Sequence, residues 1–171
     1  MAQRQLYEAF APVMLGVCYR YTKNTTDAHD LLQEGFIRVF KNLAQWRGDG
    51  ELAAWIRRIM VNTCLNWLRS QQRLQFTQQE EIAEAQLPQV YNEAVQQLEA
   101  KQLATFIRNL PAGFQTVFNL HAIEGYSHAE IAELLGITEG TSRSQYLRAR
   151  RQLAHWIEQE FATQINSYAG K

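Results

Sequence analysis

The chain has 171 residues, 46% of them hydrophobic and 11% aromatic, and its 17 basic and 17 acidic side chains cancel to a formal net charge of zero. This composition excludes a disordered polyelectrolyte, a low-complexity chain and a collagen-like repeat, and it suits one medium domain or two small ones. No stretch approaches the roughly 20 consecutive apolar residues of a membrane span, and the start, Met1-Ala2-Gln3-Arg4, lacks an apolar signal core, so neither membrane insertion nor export is expected.

Apolar spacing of 3.6 residues dominates and β-runs are few, which predicts an all-α fold. Leu6 and Phe10 share one face of a first helix, which Pro12 interrupts or restarts. Val13, Val17 and Tyr21 continue the stripe. Thr25-Thr26-Asp27 predicts the cap of a second helix. Its inward face is Ala28, Leu31, Leu32, Phe36, Val39, Phe40 and Leu43, and its outer face is Asp30, Gln33, Glu34, Arg38 and Lys41. Gly48-Asp49-Gly50 is a turn. A third helix is expected over residues 51–72, with Leu52, Trp55, Ile56, Ile59, Thr63, Trp67 and Leu68 inward. Its other side carries Arg57, Arg58, Asn62, Asn66, Arg69 and Arg73.

The next stretch changes character. Residues 74–100 have no Lys or Arg, five Glu, many Gln and Pro88, which reads as a linker. We place that acidic, Gln-rich linker at 74–95, between domains at 1–73 and 96–171. The zero net charge is therefore a sum of +4 over residues 1–73, −5 over 74–100 and +1 over 101–171.

The second half is predicted to open on a helix over residues 94–109 carrying Leu98, Leu103, Phe106 and Ile107. Pro111 ends it and opens the next, which buries Phe114, Val117, Phe118 and Leu120 before a Gly125 cap. Ser127-His128-Ala129-Glu130 has the spacing of a capping box ahead of Ile131, Ala132, Leu134 and Leu135. Gly136 permits a tight turn, Ile137 packs inward and Thr138 caps a last helix over 139–161, with Tyr146, Ala149, Leu153, Trp156 and Ile157 inward.

A capped short helix, a Gly turn and a second helix rich in exposed Arg make a helix-turn-helix unit. The second helix fits a DNA major groove, and side chains near its start reach base edges. Here these are Thr141, Ser142, Arg143, Ser144 and Gln145, followed by Arg148, Arg150 and Arg151. Residues 138–153 carry a local net charge of +3. The first half combines aromatic residues with exposed Arg and Asn, which suits unstacked bases of a single strand. Trp55 and Trp67 are assigned to the core, whereas Trp46 and Asn62 are candidates for a pocket that takes a flipped base.

No catalytic or metal chemistry is indicated. His29, His121, His128 and His155 form no zinc-binding spacing, and no P-loop, dinucleotide fingerprint or nucleophile elbow is present. Cys18 and Cys64 sit in apolar helical patterns and read as two buried, reduced thiols.

The segment Asp27-Ala28-His29-Asp30-Leu31-Leu32-Gln33-Glu34-Gly35-Phe36 resembles the core helix of region 2 of bacterial sigma factors. Trp46-Arg47-Gly48-Asp49, Trp55-Ile56-Arg57-Arg58-Ile59-Met60-Val61-Asn62 and Trp67-Leu68-Arg69 resemble the promoter-melting part of that region. Leu110-Pro111, Glu124-Gly125-Tyr126-Ser127, residues 130–137, Gly140-Thr141 and Arg148-Ala149-Arg150 resemble region 4. Their order and spacing are similar to those of the extracytoplasmic-function (ECF, group IV) sigma factors, over residues 6–160.

The resemblance implies a cytoplasmic transcription initiation factor without catalytic residues or cofactor. It implies that Asp30, Gln33, Glu34 and Arg38 dock on the β′ coiled coil of core RNA polymerase. Trp46, Arg47, Gly48, Arg57, Arg58, Asn62, Asn66 and Arg69 would bind and melt the −10 element. Thr141, Ser142, Arg143, Ser144, Gln145, Leu147, Arg148 and Arg151 would read the −35 element, with the β flap as a second polymerase contact. An anti-sigma partner, able to hold the chain at the inner membrane, is implied as well. Departures from the usual pattern bear on promoter sequence: Leu52 stands where an aromatic is common, Ala53-Ala54 replaces bulkier or polar residues before Trp55, Ser142 stands where a β-branched apolar residue is usual, and Gln145 replaces a frequent Arg. Gln pairs with adenine where Arg prefers guanine. The rival readings are an ordinary helix-turn-helix regulator and a helical adaptor that binds proteins alone.

Overall fold

A computed structural model describes residues 2–71 and 100–169. Among these residues the chain is helical and contains no strand, in keeping with the all-α expectation. It divides into two compact units, Met1–Leu74 and Gln75–Lys171. The expected linker at 74–95, together with Arg73 and Leu98, lies outside the described residues.

The first unit is a bundle of α1 (Ala2–Tyr19), α2 (Thr25–Asn42) and α3 (Leu52–Ser70), each packed on the other two. Pro12 lies inside α1 and does not break it. A proline in a helix interior costs about 3 kcal/mol, and packing on both sides of it offsets that cost. Before it, the Tyr7 ring packs tilted against Phe36 of α2 at 4.7 Å between centroids. After it, Met14, Val17 and Cys18 are buried. Val13, expected to face inward, is 61% exposed, because Met14 and Cys18 supply the inward row instead.

Helix α2 starts one residue earlier than its Thr pair suggests. The cap is Asn24, whose Oδ1 accepts from the Asp27 backbone N–H at 2.8 Å while its Nδ2 donates to the Asp27 carboxylate. A cap at Asn24 therefore holds both the backbone and the side chain of Asp27. Where α2 meets α3, Gly35 leaves room for the Met60 sulfur, which occupies the space a Cβ would need.

On α3 the buried residues are Ile56, Met60, Val61, Thr63, Cys64, Leu65 and Leu68. Leu52, Trp55, Ile59 and Trp67 are only half-buried, which corrects their assignment to the core. The run from Ile59 to Leu65 is apolar at most positions, so periodicity does not select one face. Slim side chains fill the interior between three helices, and the wide indoles remain at its edge.

Cys18 and Cys64 are buried and unbonded, and they touch each other across α1 and α3. The hydrogen bond with Cys18 and burial push the Cys64 thiol well above its usual range. The Cys18 thiol is shifted the other way by the same bond, so what shields both thiols from reagents is burial. Neither cysteine should label with a water-soluble maleimide in the native chain, and both should label once guanidinium unfolds it. Rapid native labelling would contradict the packing.

The second unit comprises α4 (Ala100–Asn109), α5 (Ala112–Phe118), a π-helical turn (Asn119–Ile123), α6 (His128–Leu135) and α7 (Glu139–Ala169). Ile107, Leu110, Phe118, Ala149 and Leu153 form a core, flanked by Leu103, Phe106, Phe114, Ile123, Tyr146 and Trp156. The helix after Pro111 was expected to run on through Leu120. Instead it passes into the wider π turn, closed by the Glu124 N–H donating to the Asn119 carbonyl at 2.9 Å. The last helix continues to Ala169, beyond the expected end at Phe161.

Candidate nucleic-acid interface

Asp30, Gln33 and Glu34 are exposed on the outer face of α2, and Arg38 is half-buried. Arg38 pairs with Glu34 one turn earlier at 2.5 Å. Both partners are exposed enough that the pair adds little to stability. Ile37 stands in the same row, three residues after Glu34 and four before Lys41, and it is 52% exposed. This residue was missed because it falls off the inward stripe of α2. The available signal was an isoleucine interrupting a polar face.

A short 3₁₀ turn, Leu43–Gln45, delivers the chain to Trp46, whose backbone N–H donates to the Leu43 carbonyl at 3.2 Å. Trp46 is half-buried, and its indole N–H is enclosed without an acceptor. Arg47 and Gly48 are exposed. Gly48 and Gly50 take φ values of 78° and 91°, a left-handed backbone that glycine adopts without strain. Along α3, Arg58, Asn62, Asn66 and Arg69 are exposed and spaced to form one stripe, while Arg57 is half-buried. Arg69 donates to Asn66 at 2.9 Å within that stripe.

In the second unit the capping box forms as its spacing predicts. The Ser127 hydroxyl accepts from the Glu130 N–H at 3.2 Å, and the Glu130 carboxylate accepts from the Ser127 N–H at 2.8 Å. Gly136 closes α6 with a left-handed φ of 69°. Thr138 then caps α7, accepting from the Thr141 N–H at 3.0 Å.

The start of α7 is less open than expected. Arg143 and Arg151 are exposed, and Leu147 and Arg148 are half-buried. Thr141, Ser142, Ser144 and Gln145 are buried. Each small hydroxyl has a local partner. Thr141 bonds to Thr138, Ser142 to His128 Nδ1 at 2.9 Å, and Ser144 donates to the Thr141 carbonyl. Gln145 lies between Ser142 and Ala149 on the helix face that packs inward. The expectation that these four side chains project toward base edges is not met in the free chain.

Behind them sits an aromatic cluster that sequence reasoning did not find. The rings of His121, on the π turn, and His128, on the first turn of α6, stack with centroids 4.1 Å apart. His121 Nδ1 donates to the Tyr126 carbonyl at 2.8 Å. Tyr146 of α7 stands edge-on to His121 at 4.7 Å, and the Arg150 guanidinium lies 5.6 Å from the centre of the Tyr146 ring. Burial, the facing His121 and the nearby Arg143 lower the pKa of His128, with Glu139 opposing.

The family model "Sigma-70 region 2" matches residues 6–74, and "Sigma-70, region 4" matches residues 100–153. The chain is 30% identical over 142 residues to the ECF RNA polymerase sigma-E factor of Salmonella typhimurium, covering 77% of this chain and 74% of that protein. This chain belongs to the ECF RNA polymerase sigma factors. The sigma-E factor of Haemophilus influenzae is 28% identical over 155 residues, covering 84% of this chain and 80% of its own length. The fold is similar to that of the sigma factor RpoE of Bartonella quintana, solved with the anti-sigma factor NepR, at a TM-score of 0.56 and 17% identity, covering 91% of this chain and 96% of that one.

An ECF sigma factor is a transcription initiation factor that binds core RNA polymerase and promoter DNA. The match to region 2 disfavours an ordinary helix-turn-helix regulator, which has no use for a polymerase-docking bundle. The match to region 4 likewise disfavours an adaptor that binds proteins alone. No described helix is long and apolar enough to cross a membrane.

Proposed function

We propose a division of labour among named faces of this sigma factor. The outer face of α2, with Asp30, Gln33, Glu34 and Arg38, docks on the β′ coiled coil of core polymerase. The Trp46-Arg47-Gly48 turn and the α3 residues Arg57, Arg58, Asn62, Asn66 and Arg69 capture the unpaired −10 strand. Arg143, Leu147, Arg148 and Arg151 of α7 read the −35 duplex, with Thr141, Ser142, Ser144 and Gln145 acting from behind that surface. The second unit also meets the β flap, and the acidic linker passes through polymerase near the path of exiting RNA. Polymerase supplies the chemistry, so the chain works in the cytoplasm without a catalytic residue of its own. An anti-sigma factor holds it inactive and can retain it at the inner membrane, a reading motivated by the Bartonella sigma factor having been solved in complex with an anti-sigma factor.

The observation that carries the melting role is the exposed stripe Arg58, Asn62, Asn66, Arg69 on the helix that follows the Trp46 turn. Cations track a strand backbone, and an Asn side chain can read the polar edge of a flipped base. Transcription with sigma-free core polymerase on a genomic promoter library tests the reading, and promoter-specific starts are expected. With Asn62→Ala, open complexes should form about tenfold more slowly, since a base contact is worth roughly 1–3 kcal/mol, while closed complexes form normally. Unchanged melting at saturating polymerase would remove Asn62 from the pocket.

A further inference from the structure

We infer that His128, backed by His121, is a positioning residue that sets the angle of the recognition helix α7 through its hydrogen bond to Ser142. The inference rests on α7 reading the −35 duplex, and it assigns Ser142 to the inside of the unit instead of to the DNA.

The geometry has three parts. First, the His128–Ser142 bond joins the first turn of α6 to the first turn of α7 across a gap of 14 residues in sequence. Ser142 is fully buried, so no water replaces that partner. The start of α7 is also where an arginine must meet a base edge, so the angle of that first turn sets where Arg143 points. Second, the His128 ring is held flat against His121, which is itself fixed by the Tyr126 carbonyl. A ring with one face stacked and one nitrogen bonded has little freedom left. Third, the π turn places His121 against His128, and such turns occur frequently at functional sites. Tyr146 completes the wall from α7 and is itself capped by Arg150.

The arrangement favours the neutral imidazole. Two imidazolium rings 4.1 Å apart repel, and His128 begins α6, where the helix dipole opposes a positive charge. The charged groups facing it from α7 are Arg143, which also opposes protonation, and Glu139, which favours it. His128 therefore takes up its proton in the folded chain at a lower pH than in the unfolded one. By linkage, the unit loses stability as pH falls below the ordinary histidine value of 6.5. The hold on α7 should loosen at the lower end of that range, where His128 in the folded chain itself becomes charged.

The test uses holoenzyme built from the full chain and core polymerase, on promoter fragments first selected with the parent holoenzyme. The readout is the affinity ratio between intact and scrambled −35 elements, which cancels titration elsewhere in polymerase. His128→Ala should lower that ratio about tenfold, because it leaves the buried Ser142 hydroxyl unpaired, and Ser142→Ala should do the same by releasing the half-buried His128 ring. The double variant should add nothing further. His128→Asn, whose amide stands where Nδ1 stood, should restore the ratio to within about twofold. In the parent chain the ratio should hold through the ordinary histidine range and fall only at the lower pH where folded His128 takes up its proton, and in His128→Asn it should stay flat.

Arg143→Ala separates the two ways of failing. An unchanged ratio there would overturn the −35 reading itself. A reduced ratio in Arg143→Ala with none in Ser142→Ala would overturn the positioning role alone. Should His128→Ala not fold, Ser142→Ala, which removes a single oxygen, carries the same decision.

Discussion

Ile37→Asp should abolish holoenzyme assembly at concentrations where the parent chain saturates core polymerase. Ile37 stands in one row with Asp30, Glu34 and Lys41 on the outer face of α2, and half of its surface is open. A side chain half open to solvent lies outside the buried core, so its substitution should leave the bundle folded. In a docked complex it becomes the apolar centre of a polar rim, the position where interface energy concentrates. Losing such an anchor costs about 2 kcal/mol or more. A carboxylate there must also be desolvated without a partner. The expected loss in affinity is on the order of a hundredfold, or about 3 kcal/mol. Lys41→Ala, at the edge of the same face, should cost less than about 1 kcal/mol. Titration of labelled chain with core polymerase reads both, with circular dichroism as the check on folding. Parent-like affinity for Ile37→Asp would move the docking surface off this face of α2.

Locally encoded features were the ones visible in the sequence. The Ser127–Glu130 box, the Gly136 turn and the Thr138 cap each depend on residues within four positions, so spacing alone predicts them. The family resemblance gave the domain types because both sets of motifs occur in order on one chain. What escaped was decided by contacts between elements. Asn24 displaced the Thr25–Asp27 cap because one side chain satisfies both groups of Asp27. The inner face of α3 was ambiguous because most residues from Ile59 to Leu65 are apolar.

The start of α7 shows the same limit at the candidate site. Ser142 looked like a DNA contact because it stands on the second helix of the motif. Its true neighbour, His128, is brought to it only by the turn at Gly136. The departure from the family pattern at Ser142 then has a local reason. A valine in its place would leave the His128 nitrogen without a partner in a partly buried site. Charge was misleading in the same way. Zero net charge conceals an exposed Arg-bearing surface on each of the two units.

Arg143→Ala and Arg148→Ala should each weaken −35 recognition by about tenfold to a hundredfold without changing affinity for core polymerase. Arg143 is exposed on the first turn of α7 and pairs with Glu139 one turn back. An exposed pair of this kind holds its partners by little, so the guanidinium can leave it for DNA at small cost. Arg148 follows on the next turns, half-buried. A guanidinium fork that pairs with a guanine edge is worth roughly 1–3 kcal/mol of discrimination, which sets the expected range. Replacement by Lys distinguishes a base contact from a phosphate contact. Lys keeps the charge but loses the planar fork. A base reader therefore loses specificity in Arg143→Lys, while a phosphate contact keeps most of its affinity and its salt dependence. The measurements belong at pH 8, where His128 is neutral and its hold on α7 is intact. Core affinity should stay unchanged throughout, because the proposed β′ docking face lies on the other unit. An equal loss of polymerase binding and −35 recognition in both alanine variants would contradict the separation of docking from duplex reading.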